Sequence, residues 1–184
     1  LYPSSHVAVA DGELVRRSEE RGLKRDEWRS KTGGVPQLFI SQYEVIKEER
    51  EGLQLEMYIP HDEGLKQNAL AATEVMFKTL KLYVRLFGNP AYSTYRLVAS
   101  YSTQGGHGLF MGQVVEKSYL MSLDLETIAH EIAHTWWGVS VTSFNEGSKF
   151  LREALASFSS AWAQKEIKGQ AFFENFLLKN KVDA

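Results

Sequence analysis

The first quarter of the chain alternates short apolar runs with charged segments, a pattern typical of β-strands joined by turns. Residues 7–10 and 37–40 are largely apolar, and between them lies a charged stretch from Glu13 to Lys31. Its positive and negative side chains are interleaved, which favours a solvated strand face or loop over a binding patch. We therefore expect residues 1–43 to form short strands joined by turns, as in the last hairpins of a β domain.

After residue 43, short alternating runs are interspersed with longer segments that have the hydrophobic spacing of helices. Two strands are predicted before a long amphipathic helix that ends at Gly88-Asn89-Pro90, and two more strands flank a Gly-rich loop beyond it. The four strands are residues 42–46, 54–59, 95–100 and 109–115, and the helix is residues 65–87.

Two further helices are predicted in the last third of the chain. Residues 125–138 place apolar side chains at helical spacing, with Gly138 as a stop signal. Residues 149–168 are rich in Leu, Ala and Phe and predict a second long helix. The expected order is therefore a sheet followed by helices.

The first of these two helices carries the sequence His130-Glu131-Ile132-Ala133-His134, which indicates a catalytic zinc site. An α-helix advances about 100° per residue, so His130 and His134 share one face and both rings can reach one tetrahedral metal ion. Glu131 lies one step around the helix, where it can contact a water on the metal without binding the metal itself. The alternative without a metal site is a helix that carries two histidines by chance, one buried and one solvated.

A zinc hydrolase needs a third protein ligand and one open coordination position. The nearby candidates are Glu146 and Glu153. Glu146 lies in a turn-like Asn-Glu-Gly segment, where a carboxylate is usually solvated or caps the following helix. Glu153 lies on the predicted helix 149–168, which can hold a ligand rigidly across from the first helix, and we prefer it for that reason.

Composition narrows the chemistry and the partners. The formal net charge of −2 gives no support for nucleic acid or an acidic membrane surface as a partner. The chain has no Cys, so a zinc site must use His and carboxylate ligands. Because no apolar run reaches the length of a membrane span and no signal peptide is visible, we expect a soluble domain whose compartment is unassigned.

The run H-E-I-A-H-T-W-W-G at residues 130–138 resembles the H-E-x-A-H-x-W-[WF]-G motif of the M1 family of zinc aminopeptidases. In that family the third ligand is a Glu that follows the second His after eighteen residues. Here the eighteen residues 135–152 lead to Glu153. The sequence L-R-E-A-L-A-S-F at residues 151–158 resembles the family's W-L-N-E-G-F-A-S-Y, in the matching register.

The resemblance implies an α+β fold. Residues 44–184 would be a thermolysin-like zinc peptidase half-domain (gluzincin type), with a mixed sheet followed by zinc-binding helices, preceded by the β-strands of an N-terminal domain. It also implies Zn²⁺ as the cofactor, His130, His134 and Glu153 as its ligands, and Glu131 as the general base. The implied activity is hydrolysis of peptide bonds by an M1-type aminopeptidase, with a peptide as the substrate partner.

One family motif is not matched. M1 enzymes carry G-x-M-E-N, whose Glu binds the free α-amine of the substrate, but residues 102–110 contain the glycines without Met-Glu-Asn. Gly-rich backbone beside a strand can approach a peptide closely, which makes Gly105, Gly106 and His107 candidate substrate-binding residues. An endopeptidase or another amide hydrolase on the same scaffold is therefore the alternative enzyme, and a non-catalytic interaction domain is the alternative of another class.

Family members also use a Tyr well downstream of the third ligand to stabilise the oxyanion, and the chain ends at Ala184 before that position. We expect the chain to be part of a longer enzyme, with the remainder of the parent polypeptide as a partner. Without that Tyr, we expect this segment alone to be inactive.

Overall fold

The computed structural model of the chain describes residues 1–30, 37–90, 92–100, 106–109, 112–116, 120, 125–141 and 147–179. The strands are β1 Tyr2–Pro3, β2 Val7–Ala10, β3 Glu13–Glu20, β4 Leu23–Arg29, β5 Leu38–Ser41, β6 Tyr43–Arg50, β7 Leu53–Pro60, β8 Thr94–Ser100, β9 Gly106–Leu109 and β10 Gly112–Glu116. The helices are α1 Glu63–Phe87, α2 Leu125–Ala133, α3 Ser148–Lys168 and α4 Gln170–Lys179.

The first five strands form two small antiparallel sheets, ordered β1-β4-β3 and β2-β5. Every side chain of β3 is exposed, because its charged residues face solvent while its backbone pairs with β4. The prediction of a solvated strand face in the charged stretch is therefore confirmed for β3, whereas β4 alternates exposed and half-buried side chains.

A five-stranded mixed sheet, ordered β6-β7-β8-β10-β9, is the centre of the fold. β7, β8 and β10 run parallel to one another, and antiparallel strands β6 and β9 close the two edges. Helices α1 to α3 bury apolar side chains in one core with this sheet. The α+β fold class is thereby confirmed.

The prediction of one strand over residues 109–115 is wrong. The chain instead forms two antiparallel strands, β9 and β10, and the Gly-rich segment from Gly106 onward is itself strand β9 rather than a loop. The backbone of Gly112 also pairs so closely with Arg96 of β8 that a Cβ at Gly112 would collide with the Arg96 carbonyl. Pairing with distant strands decided this structure, and single-strand periodicity cannot report it.

Two hydrogen bonds join the C-terminal end of α1 to α2 and to the turns that follow α2. Asp62 caps the start of α1 by accepting a hydrogen bond from the Leu65 amide at 3.1 Å. Near its end, the Tyr83 hydroxyl donates to the Ala129 carbonyl on α2 at 3.2 Å. Just beyond α1, the Gly88 carbonyl accepts from the Trp136 indole at 3.0 Å. The turns that follow α2 are therefore held against the end of α1.

Helices α1 and α3 agree closely with the sequence-based prediction, and α2 is shorter than predicted. It ends at Ala133 and passes through turns to Gly138, whose φ is +113°. Helices α1 and α3 begin within two residues of their predicted starts and end at the predicted residues. No helix in the described part of the chain is long and apolar enough to cross a membrane.

Candidate metal centre

The C-terminal end of α2 and the turn that follows it place two imidazole rings side by side. The His130 Nε2 and His134 Nε2 atoms are 3.0 Å apart, and the rings cross edge to face. The spacing of four residues produces this, because the His134 amide continues the helical hydrogen bonding to the His130 carbonyl at 3.3 Å.

Helix α3 brings a carboxylate to the same point. The Glu153 Oε2 atom lies 3.3 Å from His130 Nε2 and 3.4 Å from His134 Nε2. Two hydroxyls farther along α3 hold the helix in this position: Ser160 donates to the Glu126 carbonyl on α2 at 2.7 Å, and Ser159 accepts from the Trp137 indole at 3.0 Å.

These three donor atoms fit a zinc ion. Ligand atoms about 2.1 Å from a tetrahedral zinc are separated by roughly 3.3–3.4 Å from one another. The observed separations of 3.0, 3.3 and 3.4 Å are close to that triangle. Two imidazoles with one carboxylate also form a donor set that catalytic zinc uses, with a fourth position left for water.

Hydrogen bonds at the far side of each ring orient the two histidines. His134 Nδ1 lies 2.9 Å from the Trp137 carbonyl oxygen, an acceptor that requires a proton on Nδ1 and so leaves the Nε2 lone pair available. His130 Nδ1 lies 3.4 Å from the Ser157 hydroxyl on α3. Ser157 follows Glu153 by one turn of α3, so the same helix supplies both the carboxylate and the hydroxyl that contacts His130.

The electrostatics of the ligand group favour a metal cation. Burial, followed by the neighbouring His134, lowers the pKa of His130, which keeps that ring neutral near pH 7. Burial raises the pKa of Glu153, but the charges of His134 and Arg152 outweigh it, so the net pKa lies below its usual value. The group therefore offers a neutral nitrogen on His130 and an ionised oxygen on Glu153.

Glu131 lies in a different environment from Glu153. Its side chain is buried, and its Oε2 atom has no hydrogen-bond partner among the described residues. Burial, with a further contribution from the negative charge of Glu153, raises the pKa of Glu131 to about 7. A carboxylate with this pKa, next to the donor triangle, can accept a proton and return it near neutral pH.

The remaining predicted residues divide into two groups. Gly106 and His107 lie on β9, an edge strand that pairs with β10 and packs near α2. Gly105 and the rejected ligand candidate Glu146 lie outside the described residues. The backbone position of β9 is compatible with a peptide added along this edge, and its role in binding stays a prediction.

Sequence reasoning did not find the residue that touches the outer oxygen of Glu153. The Arg152 side chain donates to Glu153 Oε1 from Nε at 3.1 Å and lies 3.0 Å from it through Nη2. The only signal in the sequence was that Arg152 stands where the M1 motif W-L-N-E has Asn.

The fold is similar to solved structures of M1 zinc metallopeptidases. An M1 zinc metallopeptidase from Deinococcus radiodurans is 18% identical over 98% of this chain, with a TM-score of 0.69. A mutant of the M1 zinc metallopeptidase from that organism is 15% identical over 96% of this chain, with a TM-score of 0.70. A mutant of a two-domain M1 zinc metallopeptidase bound to L-arginine is 16% identical over 96% of this chain, also with a TM-score of 0.70.

At these sequence identities, the comparisons show a similarity of fold alone. The chain spans about two fifths of the length of the structures it matches, with 42%, 43% and 41% of those three chains covered. No protein-family model and no curated protein sequence matches the chain.

Proposed function

We propose that this chain is part of the catalytic region of an M1-type zinc metallopeptidase that hydrolyses peptide bonds. The observation that carries the proposal is the convergence of His130, His134 and Glu153, whose three donor atoms lie within 3.4 Å of one another. Three such donors, with a buried carboxylate of raised pKa beside them, form a set whose chance assembly on an M1-like fold is improbable. That combination favours a catalyst over a non-catalytic interaction domain.

Each residue has a distinct role in this proposal. His130, His134 and Glu153 would hold zinc, which when bound supplies a Lewis acid that acidifies a water and polarises a carbonyl oxygen. Glu131 accepts the proton of the attacking water and passes it to the leaving amine. Its burial keeps the carboxylate basic enough at neutral pH for this transfer.

We further propose that the substrate is a peptide that lies along β9, where Gly106 and His107 would contact it, and that Gly105, which lies outside the described residues, contributes to the same binding. An extended peptide can add to an exposed strand through main-chain hydrogen bonds. Aminopeptidase activity of the M1 type is the preferred reaction, and the L-arginine ligand named for one of the similar structures is compatible with a site that binds the amino acid released by such a reaction. The absence of Met-Glu-Asn from residues 102–110 keeps endopeptidase activity as the specific alternative.

Domain organisation belongs to the same proposal. We assign residues 1–43 to the end of an N-terminal β domain and residues 44–184 to the catalytic domain, with the remainder of the parent polypeptide as a partner. The two small N-terminal sheets and the separate five-stranded sheet that begins at Tyr43 support this division.

Metal uptake by the purified chain tests the proposal. We expect one zinc per chain, measured by elemental analysis after dialysis, because the ligands are already brought together. His134→Ala should lose most of the metal, and His61→Ala, which removes an exposed histidine outside the group, should retain it. Equal zinc content in these two variants would overturn the assignment of the centre.

A further inference from the structure

We infer that Arg152 is a positioning residue that restricts Glu153 to binding zinc through one oxygen, Oε2. The inference deepens the proposed function and rests on it. The two oxygens of the Glu153 carboxylate have different partners. Oε2 faces the two histidines, and Oε1 faces the Arg152 guanidinium.

Both contacting nitrogens of Arg152 meet the same oxygen. Nε lies 3.1 Å and Nη2 lies 3.0 Å from Glu153 Oε1. Charge-assisted hydrogen bonds of this kind orient as well as attract, because the guanidinium is planar and its donors are fixed relative to one another. The pair of contacts therefore fixes the rotation of the carboxylate, with Oε2 toward the histidines.

The path of the Arg152 side chain is itself shaped by a glycine. A Cβ at Gly138 would collide with the Arg152 stem, with Cγ at 2.9 Å and Cδ closer still. Gly138 directly follows Trp137, whose carbonyl oxygen accepts from His134. One turn therefore orients His134 through its backbone and admits Arg152, which orients Glu153.

The chemical consequence concerns the number of positions left on the metal. A carboxylate can bind a metal through one or both oxygens, and a hydrolytic zinc needs a position for water beside three protein ligands. Occupation of Oε1 by Arg152 disfavours two-oxygen binding. Residues that orient ligands in this way typically change metal affinity about tenfold to a hundredfold when they are replaced.

Replacing Arg152 removes both a charge and an orienting contact, and these two losses should change the zinc affinity in opposite directions. Variants that separate the two losses therefore test the role of Arg152. Removing a cation beside a dication should by itself tighten zinc binding, because like charges repel. Loss of orientation should weaken it. Arg152→Lys keeps the charge and removes the planar pair of donors, so it isolates orientation. Lys149→Ala removes one positive charge from the same helix, and Lys149 has no contact with Glu153 among the described residues, so it isolates charge.

The experiment measures zinc affinity of the chain by chelator competition and metal geometry by X-ray absorption on zinc. We expect Arg152→Lys and Arg152→Gln to weaken zinc binding about tenfold to a hundredfold. We also expect both variants to add one light-atom ligand in the absorption spectrum as Oε1 reaches the metal. Lys149→Ala should bind zinc as tightly as the unsubstituted chain or slightly more tightly.

Different results would overturn the proposed function and the role of Arg152. An unsubstituted chain that takes up no zinc overturns the proposed function and this inference together. Zinc uptake with an Arg152→Lys affinity within twofold of the unsubstituted chain, or an unchanged ligand count in both Arg152 variants, overturns the role of Arg152 alone. Circular dichroism of each variant confirms that it is folded before the affinities are compared.

Discussion

His134 Nδ1 lies 2.9 Å from the backbone oxygen of Trp137, in the turn that follows α2. The contact turns the Nε2 atom of His134 toward His130 and Glu153, so a backbone group beyond the helix sets the direction of a candidate metal ligand. Trp137 is in turn held by its indole, which donates to Ser159 of α3. The end of α2 and the middle of α3 thus form one unit around the donor triangle.

Replacing the third ligand tests the choice between the two candidate carboxylates. Glu153→Ala should lose most bound zinc, because it removes one of three ligands and leaves only the imidazole pair. Glu146→Ala is the matched control and should retain zinc, as measured by elemental analysis. Full zinc retention in Glu153→Ala would refute the ligand assignment.

Glu131→Gln should separate metal binding from chemistry in the full-length parent enzyme. Gln is nearly isosteric with Glu but cannot accept the proton, so zinc content should be unchanged while kcat falls about a hundredfold to ten thousandfold. The measurement is peptide hydrolysis beside metal analysis of the same sample. Equal turnover by both proteins would remove the general-base role.

The preference for a free amino terminus tests specificity in the parent enzyme. A buried, charge-assisted contact to the substrate amine is worth about 1.5–3 kcal/mol, or roughly tenfold to a hundredfold in discrimination. Because residues 102–110 lack the family's Glu, we expect a free peptide to be preferred over its N-acetylated form by less than about tenfold. A thousandfold preference would mean that an acidic residue elsewhere binds the amine.

Arg96 should be important for stability rather than chemistry. It is buried on β8, pairs with Glu56 at 3.1 Å and donates to the Gly12 carbonyl at 2.7 Å, linking the central sheet to the N-terminal strands. Arg96→Ala removes one partner of a half-buried carboxylate and leaves the Gly12 carbonyl without this donor, so it should lower the free energy of unfolding by about 1.5–3 kcal/mol. Arg85→Ala, which removes an exposed arginine 3.8 Å from Glu166, should change it by less than about 1 kcal/mol. Urea denaturation of both variants measures the difference.

Acidification should destabilise the fold partly through Glu56. Burial raises the pKa of Glu56, but hydrogen bonds from Lys47 and Arg96 outweigh it and hold the pKa below its usual value. A carboxyl with a depressed native pKa contributes stability that is present above its unfolded pKa, about 4.3, and is lost as the pH falls through the native pKa. Between about pH 5 and pH 3, the free energy of unfolding of Glu56→Gln should therefore fall by less than that of the unsubstituted chain. The difference between the two is the contribution of this one carboxyl. Identical pH profiles of urea denaturation would contradict this role.

Much of the fold follows from local patterns. The boundaries of α1 and α3 were predictable because the apolar spacing of α1, its Gly-Asn-Pro stop signal and the Leu, Ala and Phe content of α3 act within a few residues. The β9–β10 hairpin was missed, since Gly106 and Gly112 have no strand-like pattern and their strand conformation depends on pairing with other strands.

The sequence by itself determined that His130 and His134 share a helix face, because helical geometry fixes where residues four apart lie. It also placed Glu153 on a second helix, at the spacing that the family resemblance suggested. Only the tertiary structure decided that Glu153 Oε2 meets both imidazoles, that Arg152 takes the other oxygen and that burial raises the pKa of Glu131. These features depend on how α2 and α3 pack through contacts between residues far apart in the chain, and periodicity along one segment carries no information about such contacts.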